Sequence, residues 1–308
     1  MNKLTVSSSP HIHSGNSTRR IMLDVIIALL PAVIVGAVIF GWKALLVVGS
    51  TVSAAVLAEF LFNLAVKKKQ TVGDLTAVVT GLILGLNLRA DAPVWQCVIG
   101  AAFAIVVVKC LFGGLGCNFA NPAATGRIIL LISFAGTLGG GATPVIAELT
   151  TSATPLESLK NGGALPTLMD MLLGIRGGAI GETCILAIAV GFIYLVIRRV
   201  IKFETPLIYV ATVFLLFLLA SNDLVFSVYQ ILSGGLVFAA VFMITDYVTT
   251  PITRTGKMIF AFGCGLITFL IRFYGSYPEG VSFSILLMNI LSPYIERWTA
   301  KRPLGGKD

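Results

Sequence analysis

The chain has 308 residues, 56% of them hydrophobic and 12% charged, with a formal net charge of +8. A soluble domain carries about 25% charged residues, and the basic residues here stand in short clusters between long apolar runs, so a soluble fold and a nucleic-acid-binding surface are both excluded. The runs are continuous rather than alternating, which excludes a β-barrel and leaves a bundle of membrane helices.

Residues 1–20 form a polar tail that ends in Arg19-Arg20. The run from Ile21 to Phe40 is too long for a signal sequence and has no small-residue cleavage site, so it reads as a retained first helix. Further spans are expected at about 44–66, 74–89, 93–112, 127–139, 180–198, 205–221, 225–246, 257–275 and 281–297. The expected fold class is all-α: a polytopic integral membrane protein with about ten transmembrane helices. Its organisation would be a cytoplasmic tail at 1–20, a five-helix membrane repeat at 21–139, an extracytoplasmic loop at 140–179, a second five-helix repeat at 180–298 and a cytoplasmic tail at 299–308.

Orientation follows from charge. If every run spans, Arg19, Arg20, Lys67, Lys68, Lys69, Arg127, Arg198, Arg199, Lys202, Arg254, Lys257, Arg297, Lys301 and Arg302 fall on one side. Only Lys43, Arg89, Lys160, Arg176 and Arg272 fall on the other. Basic loops stay inside, so both termini are expected in the cytoplasm. A faint repeat supports the two halves: Asp24-Val-Ile-Ile-Ala-Leu-Leu opens the first span and Glu182-Thr-Cys-Ile-Leu-Ala-Ile the sixth. Thr80-Gly81 likewise has a counterpart in Ser233-Gly234. Halves with an odd number of spans run in opposite directions, an inverted five-plus-five repeat of the kind that encloses a central site or pathway.

Several polar segments interrupt this apolar chain. The segment from Gly139 to Gly178 contains Glu148-Leu-Thr-Thr151-Ser152-Ala-Thr154-Pro155. It reads either as an exposed Ser/Thr-rich loop or as an attachment site in which a threonine hydroxyl is esterified to a flavin phosphate. On the second reading Thr154 is exposed and Pro155 keeps a helix from forming over its hydroxyl. Gly113 to Arg127 and Thr245 to Lys257 each place donors, a proline and a glycine just before a new helix, whose N-terminus can bind a polar ligand or serve only as a capped turn. Gly275-Ser-Tyr277-Pro278-Glu279-Gly280 is a further polar segment.

Ionisable residues inside or at the ends of spans are Asp24, Glu59, Asp74, Lys109, Glu182, Asp246 and Arg272. Intramembrane charge is costly and usually faces the interior or an ion path. Glu59, near mid-span, either carries ions or holds two helices together; Asp24 and Glu182 are the other candidates for an ion pathway. The five cysteines show no Cys-x-x-Cys spacing, and Cys110 and Cys117 flank a loop. No metal site, catalytic acid–base pair or nucleophile is expected.

Asn121-Pro-Ala-Ala-Thr-Gly-Arg127, Thr245-Asp-Tyr-Val-Thr-Thr-Pro251, Tyr277-Pro-Glu-Gly280 with Ser282 to Asn289, and Ser152-Ala-Thr-Pro-Leu156 together resemble the RnfD component of the Rnf electron transport complexes. The chain is similar, more distantly, to the corresponding membrane component of the sodium-translocating NADH:quinone reductases. The resemblance implies an FMN joined by a phosphodiester to a threonine. Here that is Thr154, with Glu148, Thr151 and Ser152 beside it; Glu148 stands where the family has Asp, and Ser152 where it has Gly. Thr143 is a competitor that keeps the Gly but lacks the acid. The resemblance also admits a second, non-covalent flavin, riboflavin, for which Asn118, Asn121, Thr125, Gly126, Arg127, Asp246, Thr249 and Thr250 would form the pocket.

The implied role is electron transfer between ferredoxin and NAD redox partners within a six-subunit complex of the bacterial inner membrane, surrounded by lipid and coupled to Na+ or H+ movement. Enzyme activity would belong to the assembled complex. A secondary transporter or channel with an inverted repeat and no flavin is the alternative.

Overall fold

The computed structural model describes residues 17–138, 142, 144, 154–161, 163, 165–275 and 279–300. In chain order the helices are α1 (Thr18–Phe40), α2 (Trp42–Ala65), α3 (Thr76–Leu86), α4 (Val94–Phe103, continuing as a π-helix over Ala104–Cys110), α5 (Pro122–Ser133), α6 (Ala135–Leu138), α7 (Pro155–Asn161), α8 (Leu168–Leu173), α9 (Ile185–Ile197), α10 (Glu204–Ser221), α11 (Leu224–Leu232), α12 (Leu236–Phe242), α13 (Arg254–Tyr274) and α14 (Val281–Thr299). Among the described residues the β structure is one isolated bridge, Ala142 to Gly178.

Four helices, α1, α2, α10 and α13, are long and apolar enough to cross a membrane, and α11 with α12 makes a fifth that is bent by 54°. Outward-facing Ile34, Val38, Leu57, Leu61, Ile193, Ile197 and Leu219 are all exposed. Such an apolar exterior suits lipid rather than water. The bundle has two ends. At the near end α1 begins and α14 finishes; at the far end lie α7 and α8.

Several expected spans are shorter or broken, each for a local reason. The span expected at 225–246 breaks at Ser233-Gly234-Gly235, where Gly234 adopts φ +67°, a conformation that glycine takes at no steric cost. The span expected at 127–139 starts earlier, because Asn121 caps it by accepting from Ala124 N at 3.1 Å and Pro122 occupies the first helical position. Arg127 therefore lies inside α5 and not in a basic loop. The span expected at 180–198 begins only at Ile185. The preceding backbone is drawn onto the end of α3, with Ile180 N donating to Leu88 O at 3.0 Å and Gly181 N to Leu86 O at 2.7 Å.

Small residues let the helices approach closely. Gly81 and Gly85, four apart on α3, face α2: a Cβ on Gly81 would lie 2.7 Å from Val52 Cα, and one on Gly85 3.1 Å from Val48 Cα. This spacing is the one membrane helices use for tight contact.

Candidate functional site

At the far end, four chain segments converge on Arg127. Its Nη1 donates to Asn87 Oδ1 at 2.6 Å, its Nη2 donates to Glu279 Oε2, and Glu182 Oε2 lies 4.0 Å away. Asn87 is the residue that ends α3, Glu182 belongs to the run before α9, and Glu279 to the turn before α14. The break between α11 and α12 closes the group. A Cβ on Gly235 would lie 3.2 Å from Glu182 Oε2 and 3.3 Å from Arg127 Nη1, so the glycine leaves the guanidinium its room. Glu182 Oε1 accepts from Ala179 N at 3.0 Å, while the buried Oε2 has no hydrogen-bond partner among the described residues.

Two further buried arginines fix the surrounding backbone. Arg272 donates to Glu279 O at 3.1 Å, Gln230 O at 2.5 Å and Ser233 O at 3.2 Å, tying the last carbonyls of α11 to the turn that carries Glu279. Arg176 donates to Thr183 O at 3.2 Å and Glu182 O at 2.8 Å. Burial lowers the Arg176 guanidinium to about 10, which still leaves it a cation at neutral pH.

Thr154 stands on the wall of the same cavity. It caps α7, with its Oγ1 accepting from Glu157 N at 3.2 Å and its own N–H donating to Glu157 Oε2 at 3.0 Å. Pro155 thus opens a helix instead of preventing one, because proline suits a first helical position where the missing N–H has no partner to lose. Thr154 is half-buried rather than exposed, since Leu156 beside it is buried among the cavity walls. The cavity holds about 120 Å³, with Leu130, Leu131, Leu138 and Phe283 on its apolar side and Asn87, Arg127, Glu182 and Glu279 on its polar side. Lys160 Nζ donates to Gly275 O and holds α7 against the end of α13. Glu148, Thr151, Ser152 and Thr143 lie outside the described residues.

A second cavity, of about 100 Å³, opens at the near end. Asn118, Asn121, Asp246, Thr80 and Lys109 line it. Asp246 accepts from Thr249 Oγ1 at 3.0 Å and from Asn121 Nδ2 at 3.5 Å, and Asn289 bridges the two segments by accepting from Asn121 N at 3.0 Å and donating to Thr249 O at 3.1 Å. The pocket read from the sequence is therefore divided. Asn118, Asn121 and Asp246 share this cavity, and Thr249 and Thr250 face an adjoining cleft. The Thr125 hydroxyl bonds back to Asn121 O at 2.9 Å, within α5. Gly126 packs against Gly100 and Ala104, and Arg127 belongs to the far cavity. Six residues separate Asn121 from Arg127, nearly two helical turns, which carries them to different depths.

The intramembrane acids all have partners. Glu59 sits towards the end of α2 rather than at its middle, and its Oε1 accepts from Lys109 Nζ at 2.9 Å and from Thr71 Oγ1 at 2.6 Å. Lys109, on the π-helix, also donates to Thr76 Oγ1 at 2.5 Å. Asp24 accepts from Tyr194 OH at 3.0 Å and from Arg198 Nε at 3.3 Å, joining α1 to the end of α9. Sequence reasoning missed Asn87 and Glu279 as partners of Arg127, and Lys109 as partner of Glu59. The signals available were Asn87 at the end of an expected span and Glu279 in its polar turn. Among the described residues no group of three or more His, Cys, Asp or Glu side chains is placed to hold a metal ion.

The model of the NQR2, RnfD, RnfE family matches residues 5–305. The chain belongs to that family. It is 46% identical over 306 residues to the D component of the Na+-translocating ferredoxin:NAD+ oxidoreductase complex of Acetobacterium woodii, covering 98% of this chain and 95% of the other. To the D component of the proton-translocating ferredoxin:NAD+ oxidoreductase complex of Clostridium ljungdahlii it is 38% identical over 320 residues, covering 99% and 97%. The D component of the ion-translocating oxidoreductase complex of Stutzerimonas stutzeri is 37% identical over 331 residues, covering 94% and 93%.

One of the four motifs that carry the resemblance touches both cavities, and a second reaches from the far one back to it. Asn121 to Arg127 runs along α5 from the near cavity to the far one, and the turn of Glu279 leads into α14, whose Asn289 reaches back to Asn121. In this member of the family α5 and α14 are the structural link between the two ends.

Proposed function

We propose that this chain is the membrane subunit through which electrons pass in an ion-translocating ferredoxin:NAD+ oxidoreductase complex of the bacterial inner membrane, and that it carries them on an FMN joined through its phosphate to Thr154 Oγ. Similarity along nearly the whole length to the D components of complexes named for that reaction supports the first part. The observation that carries the second is the position of Thr154 on the wall of the cavity that Arg127, Glu182 and Glu279 line on one side and Leu130, Leu131 and Phe283 on the other.

The residues present fit such a group. The Thr154 oxygen keeps a lone pair for Glu157 N after esterification, so the cap on α7 need not be lost. Leucine and phenylalanine walls suit an aromatic ring system, and Arg127 and Glu182 Oε2, which lacks a hydrogen-bond partner among the described residues, offer a donor and an acceptor to its polar edge. When bound, the flavin supplies one- and two-electron chemistry. The chain's own residues orient it and exclude water from it.

The architecture in this reading is an inverted five-plus-five repeat of ten spans, α1 to α5 against α9 to α14, with α11 and α12 as one broken span. Both termini are cytoplasmic and the Thr154 segment extracytoplasmic. The meeting of the end of α3 with the α11–α12 break at Arg127 supports it, as broken helices at a central site are common in such repeats. Riboflavin would occupy the near cavity, and Glu59, Asp24 and Glu182 would contribute to ion movement.

The test is the intact mass of the purified chain together with in-gel flavin fluorescence. The wild-type chain should carry the mass of one FMN and fluoresce. Thr154→Ala should lose both with the polypeptide still inserted, and Thr143→Ala neither. A colourless wild-type chain of bare mass would favour the transporter alternative.

A further inference from the structure

We propose that Arg127, Glu279 and Glu182 set the reduction potential of the group held in the far cavity, with Arg127 as the positioning cation for the polar edge of a flavin; this rests on the reading that Thr154 carries FMN. The three charged side chains come from α5, from the turn before α14 and from the run before α9, and all line the cavity that Thr154 lines. One guanidinium stands between two carboxylates in a buried setting. Charges count for more there than in water.

The placement of each group is fixed. Asn87 Oδ1 holds one arm of Arg127 at 2.6 Å, and Gly235 leaves no Cβ to push the guanidinium aside. Arg272 grips the carbonyl of Glu279 at 3.1 Å, which keeps that carboxylate over Arg127. Glu182 Oε2 is buried within the cluster and lacks a hydrogen-bond partner among the described residues. A buried acceptor left unpaired is costly, and the imide N–H of an isoalloxazine is a donor of the kind it lacks.

The charge argument then gives a sign to each residue. Two electrons from a reductant and one proton from water convert an oxidised isoalloxazine to its anionic reduced form; an N–H bond forms at N5, and the added negative charge spreads over N1 and the neighbouring carbonyl. A cation beside that edge favours reduction, and a carboxylate opposes it. Neutralising Glu279 leaves Arg127 less compensated, so reduction becomes easier. Neutralising Arg127 removes the cation that stands between the two carboxylates, so reduction becomes harder.

The experiment is a spectroelectrochemical titration of the purified complex with dithionite and mediators, the signal of this flavin being assigned by difference from the Thr154→Ala complex. Glu279→Gln should raise the potential and Arg127→Gln lower it. Each should change the ratio of oxidised to reduced flavin at fixed potential by at least tenfold, about 30 mV for a two-electron couple. Arg127→Lys should restore most of the loss, a recovery that a purely structural role would not show in the potential. Shifts in the same direction, or smaller than tenfold in both variants at full flavin content, overturn the proposal. If Arg127→Gln does not assemble, Glu279→Gln decides alone, since its carboxylate sits at the cavity mouth with 27% of the side chain exposed: a rise supports the proposal and no change overturns it. A wild-type chain without the mass of FMN overturns the attachment reading and this one with it, and the mass measurement tells that failure from the others.

Discussion

Lys109→Met is the most direct probe of what the buried charges do. The ammonium lies 2.9 Å from Glu59 Oε1, with 3% and 1% of the two side chains exposed. At that separation opposite charges attract by about 6 kcal/mol at an effective dielectric of 20. Methionine fills a similar volume and removes only the charge and its hydrogen bonds. Glu59 is then left with the Thr71 hydroxyl as its donor, while its Oε2 already lacks one among the described residues. Breaking one side of a buried pair costs about 3–5 kcal/mol, whereas replacing both charges with neutral groups is often neutral or better. The thermal unfolding midpoint in detergent should therefore fall on the order of ten degrees for Lys109→Met. Adding Glu59→Gln should recover most of that loss. Ion uptake by proteoliposomes separates the two roles of Glu59. If the pair only joins helices, the double variant regains transport with stability; if Glu59 carries ions, it regains stability alone. A Lys109→Met protein as stable as wild type would refute the electrostatic reasoning.

Two further outcomes are expected. Gly81→Ala should destabilise by about 1–3 kcal/mol, measured by the same melting assay, because the added methyl meets the backbone of α2 and not a movable side chain; Gly49→Ala, which meets nothing within 4 Å, should be neutral or stabilising. In a background with the exposed Cys117 replaced, a cysteine at position 160 should react with an impermeant reagent from outside and one at position 68 should not. The reverse pattern would invert the orientation.

The helical, membrane-embedded character was legible because it rests on composition and on uninterrupted apolar runs, as along α1 and α2. Where spans end was less legible. Asn121-Pro122 is a capping signal in plain view, yet reading α5 by hydropathy alone placed its start too late and put Arg127 in a loop. The late start of α9 had no local signal, since its cause is long-range bonding of Ile180 and Gly181 to the end of α3. The same distinction applies to the sites. Thr154 stood out because hydroxyl clusters are rare in an apolar chain. The grouping of Asn118 to Arg127 in a single pocket failed because proximity along a helix is not proximity in depth. Which cation would neutralise Glu59 depends on the winding of a helix fifty residues away, and nothing in the spacing announces it.

That winding has a consequence of its own. From Ala104 to Cys110 the backbone bonds skip five residues instead of four, as Leu111 N to Val106 O and Gly114 N to Lys109 O show. One residue of α-helix is about 100° of rotation, so a wide turn acts as a phase shifter: everything after it is rotated relative to everything before. Winding the same residues as ordinary α-helix would turn Lys109 by roughly one residue's rotation and swing the ammonium away from Glu59 without altering any side chain. The direction in which this buried cation points is therefore a property of winding, and a chain can lose it without losing the lysine.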